Sequence, residues 1–153
     1  MTTLRLLVAL LGAAVLAACS TGGGGTPLSQ GLSQRMDQQG ASLNRAEALG
    51  IVNSYRGTVG VASLRADASL DATAQALAQQ YASSGTSPKT PAGMVTIAVS
   101  AGYPNFAETF SGWRNSPADA AILSNRSASR AGVAAVYDAN SAYGVYWVLL
   151  LDD

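Results

Sequence analysis

The sequence has no histidine, one cysteine and a single lysine among its 153 residues. Without histidine there can be no Ser-His-Asp triad, no imidazole base and no imidazole metal ligand. Zinc and iron centres need nitrogen or sulfur donors, so no metal site and no cofactor is expected. One cysteine, Cys19, cannot close an intramolecular disulfide, so the fold must rest on packing alone. The only lysine, Lys89, lies among Ser87, Pro88, Thr90 and Pro91. That is turn chemistry, without the burial that would make the amine the base of a Ser-Lys dyad. Charge is scarce as well: 12% of residues are charged, against about 25% in ordinary globular proteins. Basic and acidic residues balance at 9 each and form no basic cluster, which removes the electrostatic footprint of a nucleic-acid-binding protein.

What is present begins at the N-terminus. Met1 to Arg5 carries one positive charge, Leu6 to Leu16 is apolar, and Ala17-Ala18 lead into Cys19. The apolar run is shorter than the roughly 20 residues a bilayer span requires, and it has the shape of a secretory h-region before a small-residue cleavage site. Leu16-Ala17-Ala18-Cys19 resembles the lipobox of bacterial lipoproteins. The resemblance implies that residues 1–18 are a cleaved signal peptide. It also implies that the Cys19 sulfur receives a diacylglyceryl group, and that the new amine is acylated, for example with palmitate. Several chains anchor stably where one is marginal, at about 0.8 kcal/mol per buried methylene. Ser20 resembles the residue that permits forwarding to an outer membrane. The expected location is therefore the bacterial cell envelope, with the membrane as a partner. Residues 19–42 are rich in Gly, Ser and Gln and read as a lipidated tether, with at most one weak helical turn near its end. Residues 43–153 have the size of one domain.

Periodicity predicts helices over Leu43 to Tyr55, capped by Ser42 and ended by Gly57, and over Ala68 to Ser83, capped by Asp67 and stopped by Gly85. Met94 to Ala101 is expected as a short helix. Glu108 to Arg114 is expected as one or two helical turns broken by Pro117, and Ala118 to Leu123 continues helically. Gly132 to Tyr137 and Gly144 to Leu151 are strand-like, with Asp138 to Ser141 as turn residues, and predict an antiparallel hairpin. Helices first and strands last make an α+β domain.

Asn53-Ser54-Tyr55-Arg56, then Leu64, Asp67, Leu70 and the Ala74/Ala78 ladder, resembles the opening of the CAP superfamily, the cysteine-rich secretory, antigen and pathogenesis-related (SCP-like) proteins. Ala101-Gly102-Tyr103 is similar to that family's AGY. Trp113 to Pro117 is similar to its W-x-N-S-P, Ile122-Leu123 to N-I-L, and Gly132-Val133-Ala134 with Tyr146-Trp147-Val148 to its closing strands. The resemblance implies an α-β-α sandwich with a small antiparallel sheet ending in the C-terminal hairpin. Many family members have a cleft of two histidines and two acids. Here Lys89 or a neighbour stands where the first histidine falls, Asp119 replaces the second, and Glu108 aligns with the glutamate ahead of the tryptophan. The segment with the family's E-N-I glutamate is missing in this alignment.

The residues that remain for a cleft are Glu108, Asp119, Asn115 and Trp113. Two carboxyls with different environments suit general acid–base work, so a hydrolase using Glu108 and Asp119 is one reading. Helix-start positions account for both acids more simply. Tyr146 and Trp147 point to opposite faces of a strand, which places one in the core and leaves the other covered by a helix or exposed. An apolar groove between helices and sheet would hold a lipid or sterol, as some CAP proteins do. Arg56, at the end of its helix, is expected to hydrogen-bond carbonyls at that helix's C-terminus. The main expectation is a non-catalytic envelope lipoprotein whose CAP-like domain binds or supports something there, a lipid or an envelope protein.

Overall fold

The computed structural model describes residues 29–153; the proposed signal peptide, Cys19 and the first part of the tether lie outside the described residues. The elements are α1 (Gln30–Ser33), α2 (Arg45–Thr58), β1 (Arg65–Ala66), α3 (Ala68–Ser84), β2 (Thr96–Ala101), α4 (Phe106–Asn115), α5 (Pro117–Leu123), β3 (Arg130–Tyr137) and β4 (Val145–Asp152). Among the described residues, no helix is long and apolar enough to cross a membrane.

Local chemistry explains most of the boundaries. The Asp67 carboxylate accepts from the N–H groups of Ser69 and Leu70 and starts α3, and Gly85, at φ 67°, ends it in the left-handed conformation. Helix α2 starts later than expected because the Asn44 side chain, not Ser42, accepts the Glu47 N–H. Pro117 opens α5 at its first turn, where a missing N–H costs nothing, and Ser116 caps it. The expected short helix over Met94 to Ala101 is instead strand β2, hydrogen-bonded to β4 from Thr96↔Leu151 to Ala101↔Tyr146. Thr96, Ile97 and Val99 are β-branched and fit a pleated surface better than a helix.

The four strands run in the order β1-β3-β4-β2. The closing hairpin pairs antiparallel in the register Tyr137↔Val145 to Arg130↔Asp152. β1 adds a two-residue parallel pair at the β3 edge, so the small sheet is mixed. β4, in the middle, is buried along its whole length. Its alternate residues feed two cores. Val145, Trp147, Leu149 and Leu151 join Leu49 and Val52 of α2, Phe106, Phe110 and Trp113 of α4 and Leu123 of α5. Val148 and Leu150 join Leu70, Ala74 and Ala78 of α3. The result is a three-layer α-β-α sandwich.

Two details position the layers. A Cβ on Gly132 would collide with the backbone of Leu70 and Asp71, so only glycine lets α3 lie this close to β3. The stretch read as tether also contributes to the core: Leu32 and Met36 are buried, and the Met36 N–H donates to the Pro104 carbonyl at 2.7 Å.

Candidate functional site

The four cleft candidates occupy separate structural roles. Glu108 is exposed in the first turn of α4. Its N–H donates to Asn105 Oδ1 at 2.9 Å, and Asn105 Nδ2 donates back to Glu108 Oε1 at 2.7 Å, a reciprocal cap. Asp119 sits in the first turn of α5, its N–H donating to Ser116 Oγ at 3.4 Å. Both acids therefore complement helix N-termini. The two acids start different helices, Glu108 in α4 and Asp119 in α5. Asn115 is exposed at the end of α4. Trp113 is core: its indole N–H donates to the Val99 carbonyl at 3.1 Å, and its ring meets Phe106 edge-on at 5.9 Å. None of the four lines the cavities described below, and the described residues hold no group of three or more His, Cys, Asp or Glu placed to share a metal ion.

Both hairpin aromatics are covered. Trp147 donates its N–H to the Tyr103 carbonyl at 2.9 Å and packs on Phe106 at 5.7 Å. On the other face Tyr146 meets Tyr81 of α3 edge-on at 4.9 Å, and the exposed Tyr143 stands 6.2 Å from Tyr146. Burial, followed by the neighbouring Tyr143 and Tyr146 phenols, holds the Tyr81 hydroxyl above its ordinary pKa.

Arg56 is the largest polar group taken fully out of water. It donates from Nε to the Ala62 carbonyl at 2.7 Å, from Nη1 to Leu123 and Asn125 at 2.8 and 3.0 Å, and from Nη2 to Ala128 at 3.2 Å. These acceptors are the end of α5 and two loops, not the C-terminus of Arg56's own helix as expected. Burial lowers its pKa. Asn53, one turn earlier, exchanges two hydrogen bonds with the backbone of Leu64 at 2.8 and 2.9 Å. The Asn53/Arg56 pair thus pins the loop after α2 and the segment after α5 through backbone carbonyls and one backbone N–H.

A second ionic group was not anticipated from the sequence. Arg130 bridges Asp67 at 3.0 Å and Asp152 at 2.8 Å, joining the start of α3 to the end of the hairpin. The Leu70 N–H, and then Arg130, hold the Asp67 carboxyl below its ordinary value. Nothing in spacing or periodicity announces contacts so distant in sequence.

The cavities are open and small. One of about 240 Å³ lies between α2 and α4, lined by Ile51, Ser54, Tyr55, Thr58, Phe110 and Arg114. A neighbour of about 200 Å³ shares Ile51, Phe110 and Arg114. Each falls below the roughly 300–1,000 Å³ of typical small-molecule sites, and both lie between two helices, not between helices and sheet. A polar groove of about 430 Å³ runs beside β3, between Gln38 to Ala41 and Gln75.

Against known proteins, the model of the cysteine-rich secretory protein (CAP) family matches residues 49–151. Similar solved structures include an outer surface protein from Borrelia burgdorferi, at 15% identity and TM-score 0.57, covering 68% of this chain and 88% of that one. An extracellular SCP-domain protein from Bacillus anthracis aligns at 16% identity and TM-score 0.58, covering 72% of this chain but only 40% of its own. The protein MpPR-1i aligns at 18% identity and TM-score 0.58, covering 70% and 88%. At these identities the likeness establishes the fold. No curated protein sequence matches the chain.

Proposed function

The chain belongs to the CAP family of cysteine-rich secretory proteins, and from that premise we propose that it is a non-catalytic lipoprotein of the bacterial cell envelope. In this reading residues 1–18 are removed, Cys19 is lipidated, and the CAP domain is held by its tether close to a membrane, the outer one by the character of Ser20. The domain then acts by binding or by scaffolding. The observation that supports the non-catalytic part is the fate of the polar groups: Glu108 and Asp119 start two different helices, and Arg56 and Asn53 are engaged by backbone partners. A family cleft built on histidine has no residues left to build it here.

The test separates anchor from chemistry. The double variant Glu108→Gln with Asp119→Asn is expressed from the native locus beside Cys19→Ser, and envelope integrity is compared with that of a deletion strain. The expected result is that the double variant behaves as wild type and Cys19→Ser as the deletion. A double variant that matches the deletion while accumulating as folded protein would overturn the reading in favour of a carboxylate-dependent hydrolase.

A further inference from the structure

The outer edge of β3 changes character along its length. The hairpin hydrogen-bonds through pairs in step with Asp138, whose N–H donates to the Gly144 carbonyl at 2.8 Å. Residues 131, 133, 135 and 137 therefore turn their N–H and C=O groups away from β4. β1 covers the first part of this edge: the Arg65 N–H donates to the Ser129 carbonyl at 2.9 Å and the Asp67 N–H to Ala131 at 3.0 Å. Side chains cover the next residue. Asp71 accepts the Val133 N–H at 2.9 Å, and Arg45 donates to the Val133 carbonyl at 2.9 Å. Beyond that point, among the described residues, no hydrogen bond reaches the outward groups of Ala135 and Tyr137. They open onto the 430 Å³ groove. Its walls stand on opposite faces of the sheet, Gln38 to Ala41 on the side of α2 and Gln75 on α3.

We propose that this groove is a docking site for an extended, uncharged peptide segment of a partner protein, which adds to the sheet as an edge strand beside Ala135 to Tyr137. Unpaired strand edges are templates for another chain, and proteins ordinarily blunt them. Here the blunting devices, β1 and then the Arg45/Asp71 pair, stop midway and leave a bounded opening. Main-chain hydrogen bonds supply affinity in strand addition, and adjoining side chains supply selection. The walls offer glutamines and no charge, so they match a neutral polar or small segment. Two outward residues engage a partner stretch of about three to five residues, roughly 10–16 Å long. This rests on the reading of the domain as a binding module. Its failure would leave the anchoring at Cys19 untouched, since that is read by fractionation and mass.

The test uses the full-length, isotope-labelled protein in detergent, titrated with the capped peptide acetyl-TVTVTV-amide and with the same peptide N-methylated at alternate residues. Saturable amide shifts are expected at Ala135, Tyr137 and Gln75, with at least tenfold weaker binding of the N-methylated peptide. Ala135→Pro removes an outward N–H and leaves in place the N–H groups that pair with β4; it should keep a cooperative melting transition and lose the shifts. Gln75→Trp, at the surface of α3, should fill the groove with the same result. Equal binding of both peptides, or shifts that map elsewhere, would overturn the proposal. So would shifts of the Ala135 and Tyr137 amides that follow protein concentration without peptide, because they would make a second copy the occupant.

Discussion

Arg56 satisfies four carbonyls from one buried guanidinium, and no carboxylate lies among its partners. Removing it leaves several buried acceptors unpaired, at about 1–3 kcal/mol each. Arg56→Ala should therefore cost about 3 kcal/mol or more in urea-unfolding free energy. Arg56→Lys should recover little, because an ammonium cannot reproduce the planar fork; recovery of most of the loss would show that charge, not geometry, matters there. Gly132→Ala should be comparably severe, since its Cβ meets the backbone of Leu70 and Asp71, which cannot step aside as a side-chain end would. A variant melting within a degree or two of wild type would refute that close approach. The two residues differ in how far the sequence exposes them. Asn53-x-x-Arg56 stands out as a motif, yet its partners at Leu64, Leu123 and Ala128 depend on tertiary folding. Gly132 looks like any strand glycine until α3 is laid across it.

Among the elements, α3 was legible almost to the residue, because Asp67, the alanine ladder and Gly85 each act locally. The hairpin was equally plain from its β-rich composition. β2 was not. Its alternation of Ile97 and Val99 against Ala98 and Ser100 contrasts large with small residues instead of apolar with polar, which blurs the twofold period. The groove beside β3 depends on strand register and could not be read. Asp67 yields a prediction about acid. Its carboxyl lies below the ordinary value of 3.8. A depressed group contributes stability that is complete above its unfolded pKa and is lost as pH falls through the folded one. Asp67→Asn keeps a capping oxygen but cannot titrate, so its melting temperature should fall less steeply than wild type below about pH 4. Parallel slopes would remove Asp67 from the acid response. Truncation at Asn140 deletes the central strand, and with it Trp147, Leu149, Leu150 and Leu151, all fully buried. At about 1.5–3 kcal/mol for each large side chain, those four alone are comparable to the roughly 5–15 kcal/mol margin of an ordinary domain, and the paired strands are exposed besides. The truncated protein should show no cooperative melting transition, and retention of one would make β4 dispensable to the core.

At the scale of the whole molecule, a sandwich buried through both faces of β4 is joined to a segment that already packs by Leu32. The chain between Cys19 and Ser29 can span at most about 3.3–3.6 Å per residue, so a lipid on Cys19 would hold the domain within a few tens of ångströms of the bilayer. The proposed location depends on that placement: a partner strand beside β3 would then be met at the envelope. The mature N-terminal peptide, ending at Arg35, reports on it directly by mass spectrometry of protein taken from the membrane fraction. The account predicts a peptide that begins at Cys19, carries a diacylglyceryl thioether and an acylated amine, and disappears from that fraction in Cys19→Ser. A mature chain that begins at another residue, or that keeps a free thiol at Cys19, would contradict it.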